Sequence, residues 1–175
     1  MKTLFLGLVL TFFATLAFSQ KEEKDDKIIA DSEEAKAGFL KDDPSMSKLF
    51  QSAYGYVILP NVGKGGLGVG AAAGNGTAYQ GGSLIGFAKM NQVTIGFQAG
   101  GQAYSEVVFF ESKEAFERFK SNKIEMSAQV SAVAAASGAS ANAKYVDGVA
   151  VFTRTKGGLM YEASVGGQKF SFRAK

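Results

Sequence analysis

The side chains that carry most enzyme chemistry at neutral pH are missing from this chain. Among its 175 residues there is no histidine and no cysteine, so it offers no imidazole base, thiolate nucleophile, disulfide or ordinary zinc site. The carboxylates after residue 49 (Glu106, Glu111, Glu114, Glu117, Glu125, Asp147 and Glu162) are scattered along the chain rather than clustered. Asp25-Asp26 and Asp42-Asp43 lack the ligand spacing of a calcium loop. A serine nucleophile with lysine as its base could be built on Ser83 or Ser164, but no motif surrounds either one. The expectation is a non-enzymatic protein with no catalytic residue, metal or cofactor.

One stretch imitates a cofactor loop. Gly63-Lys64-Gly65-Gly66-Leu67-Gly68 fits G-x-G-x-x-G and follows a strand-like run over 56–59. In the dinucleotide fingerprint the third glycine opens a helix that carries the pyrophosphate, and an acidic residue follows about 20 residues on. Here glycines at 70, 74 and 76 oppose a helix, at roughly 1 kcal/mol each against alanine. No Asp or Glu lies between Gly63 and Tyr104. The cofactor reading fails on both counts.

The same residues read better as a glycine-rich antiparallel meander. Asn75-Gly76 is a strong hairpin signal, because both central residues of a type I′ turn need positive φ. It predicts one arm over 66–73 and another over 77–82. Gly81-Gly82, Met90-Asn91 and Gly100-Gly101 predict further turns. Residues 92–98 alternate polar and apolar, as a half-buried strand does.

Around the meander, apolar spacing predicts an amphipathic helix over 26–40. Asp43-Pro44 predicts a capped start for a short helix over 45–51, with Met46, Leu49 and Phe50 inward. Ser112 caps a further helix over 112–122 that places Ala115, Phe116 and Phe119 in the core, with lysines at its C-terminal end. Residues 126–143, rich in alanine and serine, are read as two small-residue strands around Gly138, although propensity also allows a helix over 127–136. Strands follow over 148–155, 159–165 and 169–172. The fold class expected is mainly β (α+β), a compact meander or barrel-like domain with N-terminal helices and one internal helix.

At the N-terminus, Met1-Lys2, an apolar run over 4–16 and Ala17-Phe18-Ser19 predict a signal peptide cut after Ser19. No cysteine follows that run, so a lipoprotein anchor is not expected. A charged linker over 20–29 and one domain over 30–175 complete the expected organisation. Residues 20–48 hold nine acidic and six basic residues, whereas 49–175 hold seven acidic and twelve basic. The β part is therefore mildly basic and carries an acidic N-terminal segment.

Three segments carry a family resemblance. They are Ser52-Ala-Tyr-Gly-Tyr-Val-Ile-Leu-Pro-Asn-Val-Gly-Lys-Gly-Gly-Leu-Gly-Val-Gly70, Thr94-Ile-Gly-Phe-Gln-Ala-Gly100, and Phe152-Thr-Arg-Thr-Lys-Gly-Gly-Leu-Met-Tyr-Glu-Ala-Ser-Val-Gly166. In this order, with Asp43-Pro44, they resemble the SYLF domain family, which includes eukaryotic actin-patch and phosphoinositide-binding proteins and many secreted bacterial members. The resemblance implies a compact, mostly β domain that binds lipid. Where the family commonly has basic or aromatic residues, this chain has the uncharged Ala71-Ala-Ala-Gly-Asn-Gly-Thr77.

The expected function is a secreted or periplasmic lipid-binding module, peripheral to a membrane. Its candidate contacts are Lys64, Lys89, Lys144, Arg154, Lys156 and Lys169, placed at or near predicted turns. Each basic residue near an anionic surface contributes roughly 1 kcal/mol. Four together reach only about millimolar affinity, so apolar insertion or several copies must add to them. An anionic lipid or membrane surface is the expected partner. A protein partner or self-association is the alternative, through exposed strand edges. Neither nucleic acid nor, in an exported setting, actin is expected. A small outer-membrane β-barrel is a further reading, opposed by the charged helix over 112–122 and the acidic helical N-terminus.

Overall fold

The computed structural model describes residues 2–122, 125–126, 140, 144–155 and 167–175. Side chains are described within these residues except at 2–19, 66–70, 94–102 and 125–126. Helix α1 (Lys2–Asp42) leads the chain. It continues through the charged run expected as a linker, because Glu, Lys and Ala are strong helix formers and no glycine or proline intervenes between residues 20 and 37. Pro44, which cannot continue a helix, ends it. The carboxylate of Asp43 accepts from the Ser45 N–H at 3.0 Å, the Ser45 hydroxyl at 2.5 Å and the Ser140 N–H at 3.1 Å. Helix α2 (Met46–Ser52) follows, with Met46 and Leu49 buried and the Phe50 ring edge-on to Tyr56 and Phe109.

Two strands dominate the rest. β1 (Gly55–Gln80) and β2 (Ser83–Phe110) pair antiparallel from Gly55↔Phe110 to Gln80↔Ser83. They are joined by Gly81-Gly82, both at positive φ (56° and 81°), as a tight two-residue hairpin requires. The meander is thus a single long hairpin, and three of its four predicted turns are corrected. Asn75-Gly76 lies inside β1, while Met90-Asn91 and Gly100-Gly101 lie inside β2.

A straight strand of this length would span roughly 85 Å at about 3.3 Å per residue. The hairpin instead folds over on itself, with ladder irregularities at Leu59/Val62, Leu67/Val69 and Ala78/Tyr79, as bulges permit. The fold-over explains Gly76: a Cβ there would run into the Ile58 carbonyl oxygen. The glycine therefore serves a close backbone approach rather than a turn. At the same seam the Gly81 N–H donates to the Tyr54 carbonyl at 3.3 Å.

The alternation of side chains sends one set of hairpin residues to each face. Val57, Leu59, Val62, Val108 and Phe110 share a core with Ala78, Ala88, Met90 and Phe170 from the other half of the roll. Helix α3 (Lys113–Lys120) closes this core with Ala115, Phe116 and Phe119, and its Ser112 cap accepts from the Ala115 N–H at 3.3 Å. Tyr56, Ile58, Val107 and Phe109 point to the opposite face, where they meet Ala35, Phe39, Met46 and Leu49 of α1 and α2. Lys36 pins α1 there, donating to the Tyr56 hydroxyl at 3.1 Å with its ammonium 5.1 Å from the Phe50 ring centre. The Tyr79 hydroxyl donates to Glu33 at 2.9 Å.

Three shorter strands complete the described sheet: β3 (Glu125–Met126), β4 (Val149–Thr155) and β5 (Gln168–Ala174). β4 and β5 pair with successive parts of β2, and β3 with β5. The mainly β, α+β class is as expected, but the sheet is not closed into a barrel among the described residues. The expected strand over 159–165 and nearly all of the 126–143 segment lie outside the described residues.

Candidate functional site, a basic groove beside the N-terminal helix

The stretch of α1 around Asp25 crosses the outer face of β2 and β5 and leaves a groove of about 370 Å³. Lys21, Lys24 and Asp25 line it from α1, Phe87 and Lys89 from β2, and Phe172 and Arg173 from β5. The period-2 alternation of β2 delivers Lys89 to this side. Ala88, Met90 and Gln92 are buried inward, whereas Lys89, Asn91 and Val93 are exposed, Val93 at 61%. The face expected for residues 92 and 93 is therefore inverted, with the glutamine inside and the valine outside.

Register brings a second cation close. Lys89 pairs with Ser171 and Asn91 with Lys169, so Lys89 and Lys169 are diagonal neighbours, about 7–8 Å apart in an antiparallel pair. The Arg173 guanidinium lies 4.4 Å from the Phe87 ring centre. Its Nη2 reaches both Asp25 oxygens, at 2.7 and 2.9 Å. Four cations around one acid, over an apolar floor, make a site suited to an anionic group attached to an apolar body.

The other predicted contacts do not join this groove. Lys64 is buried, at 7% exposure, on the inner side of β1 opposite Gln102, and so is not on the surface. Arg154 is held by Asp42 at 2.6 Å, beside a second cavity of about 700 Å³ whose lining mixes Lys27 and Lys41 with Asp31 and Glu34. Lys144 is exposed before the Val146–Val149 bridge, and Lys156 lies outside the described residues. Lys21, Lys24, Asp25 and Arg173 escaped the sequence reading. The three-residue spacing of Lys21 and Lys24 places them on one helix face, but only the docking of α1 shows what that face meets.

Inside the roll lies a polar group that sequence also left unmarked. Glu106 is 1% exposed, and its Oε2 accepts from the Gln168 amide at 3.2 Å, which also reaches Gln92 at 3.3 Å. Its other oxygen has no hydrogen-bond partner among the described residues. Burial, opposed in part by the Gln168 hydrogen bond, pushes its carboxyl up to about 7.

Comparison with known proteins supports the family signal. The family described as "Ysc84: Las17-binding protein actin regulator" matches residues 91–175, a span that contains the second and third motifs. A relative from Aeromonas veronii, "Beta cell expansion factor A", is 28% identical over 141 residues, covering 75% of this chain and 50% of the relative. The chain thus spans about half the length of that protein. The family match over residues 91–175, the bacterial relative and the three motifs in their order all point to similarity with the SYLF (Ysc84) domain family.

Proposed function

We propose that this chain is a non-enzymatic, exported lipid-binding module of the SYLF type that docks on an anionic membrane surface through the groove beside α1. One observation carries the reading: Lys21, Lys24, Lys89 and Arg173 line one groove over Phe87, with Lys169 diagonal to Lys89 on the next strand. At roughly 1 kcal/mol for each basic residue, these five supply at most about 5 kcal/mol, or sub-millimolar affinity, before Asp25 and Glu125, which stands opposite Lys169 on β3, are counted against them. The exposed Val93 lies farther along the same face of β2 and adds an apolar contact. The run over 4–16 would direct export and leave α1 beginning near Lys21.

Co-sedimentation with vesicles tests the proposal. Binding is expected to phosphatidylcholine vesicles that contain phosphatidylglycerol, to weaken with added salt, and to be weak on phosphatidylcholine alone. No binding to either vesicle would leave the envelope protein-interaction reading in its place.

A further inference from the structure

We propose that the groove is gated by the protein's own carboxylate: Asp25 occupies the Arg173 position that an anionic headgroup would take, and must be displaced before the membrane is engaged. The inference rests on the lipid-binding reading and adds a regulatory contact to the same site.

Arg173 is already arranged as an anion receptor. Its guanidinium carbon lies 4.4 Å from the centre of the Phe87 ring, and one nitrogen, Nη2, donates to both oxygens of one carboxylate. Arginine in this setting recognises a planar or tetrahedral anion by paired hydrogen bonds. The carboxylate that satisfies it belongs to α1, so α1 supplies an internal substitute for the ligand. The pair is also accessible to competition, because the Arg173 and Asp25 side chains are 45% and 22% exposed. An ion pair this exposed is weak and yields to a surface carrying many negative charges.

The attachment of α1 is uneven in the way a gate needs. Farther along the helix, Ala35 and Phe39 are buried, and Asp31, Glu33 and Lys36 bond to Asn61, Tyr79 and Tyr56. Over 20–27 no side chain is buried. Among the described residues, the Asp25–Arg173 pair is the only polar link from that stretch to the sheet. Breaking it frees the stretch that carries Lys21 and Lys24 while the packed part of α1 stays in place. The same event uncovers Arg173 and Phe87.

Two isosteric variants test the gate, because Asp26 is exposed and its neutralisation changes net charge by the same amount. Asp25→Asn is expected to bind phosphatidylglycerol-containing vesicles about three- to fivefold more tightly than wild type, the span set by a weak exposed pair. Asp26→Asn is expected to change binding by less than about twofold. Amide hydrogen exchange over 20–28, without lipid, is expected to speed up in Asp25→Asn and not in Asp26→Asn. Equal binding gains in the two variants would assign the effect to net charge and overturn the gate. Faster exchange without tighter binding would overturn it as well. In either case wild-type binding leaves the lipid reading standing, whereas no binding by any variant removes both.

Discussion

Replacing Glu106 with glutamine should make this protein more stable at alkaline pH and leave it nearly unchanged in acid. The wild-type carboxyl is 1% exposed, with one oxygen lacking a partner among the described residues, and burial raises it from 4.5 to about 7. The folded state therefore holds a proton that the unfolded chain releases between those two values. Stability attributable to this group is fully present below 4.5 and is lost as pH rises through 7. A difference of about 2.5 units at 1.36 kcal/mol per unit gives a loss of about 3 kcal/mol by pH 8. Glutamine keeps the size and an acceptor for the Gln168 amide but never ionises. Urea unfolding from pH 4 to 8.5 should give overlapping midpoints in acid and a variant advantage that grows to about 3 kcal/mol in base. A charge-stabilised Glu106 would instead make the glutamine variant less stable than wild type at pH 8. That outcome, or a pH-independent difference, would refute the reasoning.

Three further outcomes follow from particular contacts. Gly76→Ala should destabilise by about 1–3 kcal/mol in thermal or urea unfolding, because the methyl meets the Ile58 carbonyl. Asp43→Ala should cost about 1–3 kcal/mol by leaving the Ser45 and Ser140 N–H groups without their acceptor. Burial pushes the Asp43 carboxyl up, but the hydrogen bonds from Ser45 and Ser140 prevail and hold it below 3.8. Its stabilisation is thus present above the ordinary carboxylate range and is lost as pH falls through the depressed value, so the variant's deficit should shrink in strong acid. In co-sedimentation, Lys89→Glu with Lys169→Glu should abolish binding to anionic vesicles, while Lys144→Glu, away from the groove, should reduce it by less than about threefold.

Much of the architecture is local in origin and was legible without coordinates. Glycines at 70, 74 and 76 rule out the helix that a nucleotide loop needs. Pro44 ends α1 because proline lacks the donor a helix requires, and Ser112 caps α3 because its hydroxyl oxygen reaches the Ala115 N–H. Phe116 and Phe119 fall on one helix face and are buried together. Each outcome depends on residues within a turn of one another.

The rest depends on residues far apart in the chain. Asn75-Gly76 has the composition of a turn, yet it remains in strand because Gly76 meets Ile58 across the fold-over, a contact 18 positions away. Gln92 faces inward because Gln168 and Glu106 arrive beside it from β5 and from the far end of β2, a hydrogen-bonded arrangement that alternation alone does not reveal. Asp25 and Arg173 are separated by 148 positions. The sequence by itself determined the Ser112 cap of α3, the β class and the absence of histidine and thiol chemistry. Only the tertiary structure decided which lysines share a groove, because that depends on how the hairpin rolls and where α1 lies across it.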